Sequence, residues 1–346
     1  MRLGACRGLR FNVVAASREL ADMCRFLPRF ALATLVVLAA IAPAGAQTYP
    51  NRPIKLVVPA GPGGPTDILA RLAADRMTAA LGQPVVVDNR GGAGGAIAAK
   101  TVSIADPDGY TLLFGNTATL ANIPAVSKSA GYDPSKQFAA VAKVMDSYML
   151  LVVRPDAPWK SVGELVAYAK ANPGKLNHGA AGAGNLTHLA GELFKVKAGV
   201  DFVAVQYKSS AEFITGLFGG QVDLAFDAVA SLIPHIQSGK LRALAVTSAK
   251  RQADFPDVPT MMEAGVPDYV VTAFFGVAAP AGTPAPIIAK LNAAINEGLQ
   301  TEALRSALKK LGGAPTIETP EQFATFVAAE FRKWKDISDA SGIKVE

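Results

Sequence analysis

The feature that most narrows the fold is an alternation. Short apolar stretches, namely "PIKLVV", "PVVVDN", "YTLLFG", "YMLLVV", "KLNHGA", "DFVAVQY", "VDLAFD", "LRALAVTS" and "YVVTAFFGVAAP", are separated along the chain by segments of helical character. The spacing predicts helices over Thr66 to Leu81, Ser161 to Ala171, Leu186 to Ala198 and Ala211 to Gly219, with more at 284–300, 302–311 and 320–340. Short β-branched runs suit strands buried on both faces, and strand–helix alternation covers such sheets with helices on either side. The expected class is α/β, each domain a mostly parallel sheet flanked by helices. Two extended segments that end in proline, 147–158 and 269–286, are candidates for crossing between sheets. They predict one domain from 47–150 together with 270–346, and a second from 151–269. Open α/β sheets bind ligands beyond the carboxyl ends of their strands, so two facing sheets would hold a ligand between them.

The first predicted strand runs into "VPAGPGGPTD" at 58–67, where three glycines and three prolines precede a helix. Such a loop brings backbone N–H groups to a helix N-terminus, where the dipole also favours negative charge. It is a place to hold an anion. Thr66 and Asp67 suit an N-cap, and that reading of Asp67 is favoured over a catalytic carboxylate paired with Asp227.

The opening residues differ from the rest. Arg25 and Arg29 precede the apolar run Phe30 to Ala42, and small residues follow at Ala44, Gly45 and Ala46. A basic region, a short apolar core and an A-x-A site describe a secretory signal peptide over residues 1–46, cleaved after Ala46. The apolar run has 13 residues, whereas a spanning helix needs about 20. Met23 would give a signal of ordinary length, so translation is expected to start there rather than at Met1. Removing the leader takes away six arginines and two acids, so that 34 basic and 28 acidic residues become 28 and 26. No basic patch or aromatic–basic interleaving then points to nucleic acid. Both cysteines, Cys6 and Cys24, leave with the leader, which excludes disulfides, thiol catalysis and cysteine-ligated metal from the mature chain.

Motifs for nucleotides and for catalysis are missing. In "GAGNLT" at 182–187 Thr187 stands where a Rossmann loop needs its third glycine, "RGGAGGAIA" lacks the spacing too, and Gly174–Lys175 has no P-loop context. There is no G-x-S-x-G or H-E-x-x-H, and the histidines at 178, 188 and 235 have no metal-ligand spacing. No cofactor, metal or catalytic residue is expected. His188 and His235 read as capping or packing residues.

The residues also carry a resemblance. "YPNRPIKLVVPAGPGGPTDILARLAA" at 49–74, "LGQPVVVDNRGGAGG" at 81–95, "DPDGYTLLFG" at 106–115, "HLAGELFK" at 188–195, "VQYKSSA" at 205–211, "GGQVDLAFD" at 219–227 and "PHIQSGKLRALAVTSAKR" at 234–251 occur in order. "DVPTMMEAGVP" at 257–267 and "APAGTPAPII" at 279–288 come after them. In this order they resemble the substrate-binding proteins of the tripartite tricarboxylate transporter family, also called Bug proteins, over about Tyr49 to Ile343. The resemblance implies a two-domain, Venus-flytrap periplasmic binding protein of type II architecture. It implies a monomer that captures a small carboxylate, such as a di- or tricarboxylate, an acidic amino acid or an aromatic acid, and delivers it to a membrane transporter of the tripartite tricarboxylate type.

The same resemblance implies the ligand contacts. The loop with Pro59, Gly61, Gly63, Gly64, Thr66 and Asp67 would form the first wall together with Thr117 and Thr119. Gly182, Gly184, Asn185, Thr187 and His188, with Tyr207, Lys208 and Asp227, would form the second. Gly61, Gly63 and Gly64 would let backbone N–H groups approach a carboxylate with no Cβ in the way; the plainer reading is that the glycines only permit tight turns. Ala180 and Ala181 stand where relatives often carry hydroxyls, and Ala228 follows Asp227 where "FDN" is common, so the second wall has fewer side-chain donors. Asp227 either meets a ligand hydroxyl or amino group or caps a neighbouring helix. Two other uses of the chain stay open at this level: a binding protein that signals to a sensor kinase, and a secreted enzyme.

Overall fold

The computed structural model describes residues 49–342. The chain divides into two units, Met1–Asn51 and Arg52–Glu346. The expected signal peptide lies outside the described residues. Every strand and helix among the described residues belongs to the second unit.

Strand β1 (Ile54–Val58), helix α1 (Pro65–Leu81), β2 (Val85–Asn89), α2 (Ala96–Ser103) and β3 (Thr111–Asn116) form the first strand–helix repeats, with β1 parallel to both β2 and β3. Strand β4 (Phe138–Val153) follows, then α3 (Val162–Ala171), β5 (Asn177–Ala180), α4 (Leu186–Ala198), β6 (Val203–Gln206) and α5 (Ser210–Phe218). The chain continues through β7 (Leu224–Ala228), α6 (Val229–Gln237), β8 (Arg242–Val246) and β9 (Thr272–Pro280). It ends with α7 (Ala285–Leu299), α8 (Glu302–Lys310), β10 (Gly313–Pro315) and α9 (Pro320–Ser341).

Each predicted strand and helix is present, because their signals are local. Ser161, Asn185 and Ser209 cap α3, α4 and α5 by accepting backbone N–H bonds from the first turn, and Thr319 with Gln322 makes a capping box on α9. The strand order is β2-β1-β3-β9-β4-β7-β5-β6, with β8 and β10 also on β4. The outer strands run parallel, as expected. The strands beside β4 run antiparallel to it, so the sheet is mixed. The first half of β4, "FAAVAKVMDS", and the short β10 escaped the sequence reading, since alanine-rich "FAAVAK" carries little strand signal.

Strand β4 joins two half-sheets. Phe138 to Tyr148 pair with β9, and Met149 to Val153 pair with β7. The chain returns at Val271–Thr272, and Thr247, fully buried just after β8, ties both crossings together. Its hydroxyl accepts from the Met149 N–H (2.9 Å) and lies 2.6 Å from the Val271 carbonyl, to which it donates. The Thr247 backbone adds a bond to the Met149 carbonyl and one from the Val271 N–H, each at 2.9 Å. One apolar cluster runs through both half-sheets and includes Phe274, Phe323, Trp334, Phe226 and Tyr269; a second lies against Tyr148, Leu150 and Val152.

Candidate functional site

Every predicted contact sits at or beyond the carboxyl end of a parallel strand or on the turn into the next helix. In the loop between β1 and α1, Gly61 and Gly63 are exposed, and a Cβ added at Gly61, Gly63 or Gly64 would meet nothing within 4 Å. Close packing therefore does not require these glycines. Only Gly63, at φ +86°, needs to be one for its backbone. The structure corrects the expected cap: Gly64 is the N-cap, Pro65 opens the helix, and Asp67 stands at its third position. From there the buried Asp67 carboxylate accepts from the Gly63 N–H (2.8 Å), Arg71 Nε (3.0 Å) and Asn89 Nδ2 (3.0 Å). The Arg71 hydrogen bond, followed by that of Gly63, lowers the Asp67 pKa to about 2. The Gly63 N–H is thus used inside the loop. Pro59 is buried and Thr66 half-buried behind it.

Thr117 and Thr119 are also structural anchors in this structure. Thr117 Oγ1 accepts from the Phe274 N–H at 2.7 Å and so fastens the end of β3 to β9. Thr119, fully buried, accepts from the Asn116 N–H at 3.0 Å. Both hydroxyls thus have protein partners, Thr117's on β9 and Thr119's within its own turn.

The loop between β5 and α4 satisfies itself with neutral groups. Ala181 N–H donates to Thr187 Oγ1 (2.9 Å), Thr187 N–H to Asn185 Oδ1 (3.2 Å), and Gly184 N–H to His188 Nδ1 (3.2 Å). Accepting at Nδ1 makes His188 a neutral imidazole protonated at Nε2. Burial lowers its pKa, against the pull of Glu192. Asn185 is the α4 cap, and His188, at the third helical position, ties back the loop through Gly184. Gly182, at φ +93°, faces open space.

Tyr207 is half-buried, with its hydroxyl beside Gly216 on α5, and Lys208 is exposed. Asp227, near the end of β7, is 4% exposed. Its Oδ1 accepts from Ser210 Oγ at 3.1 Å, while Oδ2 is buried without a hydrogen bond. Burial raises its pKa to about 6, against the opposing influence of the Ala228 N–H and of Ser210 and Ser231. His178 is a second buried titratable group. It sits against Phe202 and Phe226 beneath Gly191, where any Cβ would overlap its ring, and burial lowers its pKa to about 3.

Between the two sets of loops lies a cavity of about 380 Å³. Its walls come from 93–96 and 118–130 on the first half-sheet and from 181–186 on the second. Gly182, Gly184 and Asn185 line it; the other predicted contacts do not. Sequence reading missed Ala93, Asn122, Ile123 and Val126. The glycine run at 91–95 was the available signal: Gly92 to Gly95 all have positive φ, including Ala93 at +46°, and Gly95 allows the turn to close on Pro59 and Thr119. Nothing local marks Asn122. Among the described residues no cluster of histidine, cysteine or carboxylate side chains forms a metal site.

Two half-sheets whose strand-end loops enclose a small cavity have the layout of an α/β solute-binding protein. Residues 69–343 match the family model described as the tripartite tricarboxylate transporter family receptor. The chain belongs to this family, and its fold is that of the family's periplasmic binding proteins. It is 40% identical to protein BugT of Bordetella pertussis over 306 residues, covering 88% of this chain and 94% of BugT. Among solved structures it is similar to Rpa4515 of R. palustris with adipate (38% identity, TM-score 0.71, covering 86% of this chain and 99% of that one). It is also similar to MatC of Rhodopseudomonas palustris with bound malate (35% identity, TM-score 0.68, covering 84% and 99%).

Proposed function

We propose that this chain is secreted to the periplasm, captures a small carboxylate in the cavity between the two half-sheets, and presents it to a membrane transporter of the tripartite tricarboxylate type. The cavity itself carries the reading: loops from both half-sheets line it, at the strand ends where such sheets bind ligands. The carboxylates bound by Rpa4515 and MatC support the ligand class. The domains are residues 47–150 with 270–346, and residues 151–269. They close on the ligand as a monomer by bending where β4 and the segment before β9 cross. Backbone amides of the glycine-rich loops that line the cavity, at 93–96 on one wall and 181–186 on the other, hold the carboxylate.

Thermal denaturation of ligand-free residues 47–346 against a panel of mono-, di- and tricarboxylates tests this. Binding to the folded state alone adds about 2.7 kcal/mol at a hundredfold excess over Kd, so the true ligand class raises Tm in a dose-dependent way. A flat response across all carboxylates would remove the proposal.

A further inference from the structure

The side chains of the cavity wall are mostly apolar, and its polar surface comes from backbone and a few hydroxyl and amide groups. Nine of its thirteen side chains are aliphatic, six alanines with Ile123, Val126 and Leu186. Except at Asn122, its hydroxyl and amide side chains have partners within the protein. Ser127 and Ser129 bond each other at 2.8 Å, and Asn185 Oδ1 caps α4. Asn122 differs. It belongs to the wall, its side chain is only 1% exposed, and Oδ1 has no hydrogen-bond partner. A buried amide oxygen left unpaired is costly, and a ligand hydroxyl that donates to it relieves that cost.

We infer that this cavity takes the carbon skeleton of a predominantly apolar carboxylate, an aromatic or aliphatic acid, and that Asn122 meets a single polar substituent on it. A citrate-like tricarboxylate or an acidic amino acid would place several polar groups against aliphatic walls that cannot replace their bonds to water. An apolar ring or chain gains from the same walls. The inference rests on the carboxylate-binding reading and names the class of acid within it.

The test is a set of Kd values by titration calorimetry for benzoate, 4-hydroxybenzoate, adipate, malate, citrate and glutamate on ligand-free residues 47–346. The expected result is that the tightest of benzoate, 4-hydroxybenzoate and adipate binds at least tenfold more tightly than malate, citrate and glutamate. Malate, citrate or glutamate binding as tightly would overturn the inference and leave carboxylate binding intact; no binding by any acid would overturn both. Asn122→Leu is expected to cancel the advantage of 4-hydroxybenzoate over benzoate, and an unchanged ratio removes Asn122 from recognition. Should that variant fail to fold, Ala118→Leu at the cavity wall is expected to weaken the preferred acid at least tenfold, and an unchanged Kd overturns the placement.

Discussion

Asp67 and Asp227 occupy comparable places in the two half-sheets, each buried near the carboxyl end of a parallel strand, yet their protons behave in opposite ways. Asp67 receives three hydrogen bonds, including one from a guanidinium, and its pKa is lowered to about 2. Asp227 receives one from Ser210, keeps an unpaired oxygen, and has its pKa raised to about 6 by burial. Burial thus acts unequally on the two: at Asp67 the guanidinium and N–H donors outweigh it, and at Asp227 it outweighs the donors. The first loop is closed and electrostatically pinned. The second half-sheet keeps a carboxyl oxygen that lacks a partner.

The sharpest way to break this comparison is Asp67→Ala. It leaves the Gly63 N–H, Arg71 and Asn89 without their acceptor and is expected to destabilise the fold by about 2–3 kcal/mol, read from urea unfolding at neutral pH. Because the folded-state pKa of Asp67 lies below the unfolded value of about 3.9, its stabilisation is full above that value and disappears as pH falls through about 2. Wild type and variant should converge in acid; a constant gap down to pH 2 would refute the charge-based account.

Asp227→Asn should act in the other direction. Its raised folded pKa means that the neutral form suits the fold. That contribution is present below the unfolded value and is lost as pH rises through about 6. The amide variant is expected to be more stable than wild type above pH 6, by something on the order of 2 kcal/mol, with the gain vanishing near pH 4. A variant no more stable at pH 7.5 would mean that Asp227 is better paired than its unbonded oxygen indicates.

Thr247 joins the two regions being compared. Thr247→Val leaves the Met149 N–H and Val271 carbonyl without their hydroxyl partner and should cost about 1–2 kcal/mol, while Thr247→Ser restores most of it. Equal melting of both variants would assign the effect to packing. The smallest expected effect is at the neutral loop. Asn185→Ala removes the α4 cap and should cost about 1 kcal/mol, with no change between pH 4 and pH 2, where the Asp67 loop loses its pin. A pH-dependent loss there would break the contrast between the loops.

Most secondary structure was legible in the sequence because its causes are local. Strand runs, helical spacing and the glycine loops announce themselves within a few residues. The ordered motifs identified the family, and with it the fold. Local reading failed where a partner is distant. Asp67 looked like a cap because Thr66 and Asp67 precede a helical pattern, but the cap is Gly64, two to three residues earlier, and Asn89, 22 positions on, claims the carboxylate together with Arg71. At Thr117 nothing nearby shows that the Phe274 N–H, 157 positions on, uses its hydroxyl.

By itself, then, the sequence determined the α/β class, the order of elements and the glycine-rich strand-end loops, since periodicity, capping and turn chemistry act between neighbours. Tertiary structure decided which loop donors remain inside their own turns, which of two aspartates keeps its charge, and where Asn122 stands. Those outcomes depend on burial and on partners brought together from far along the chain, as when Thr247 meets Met149 across 98 positions. The energies of buried polar groups are set by such long-range meetings and not by local sequence.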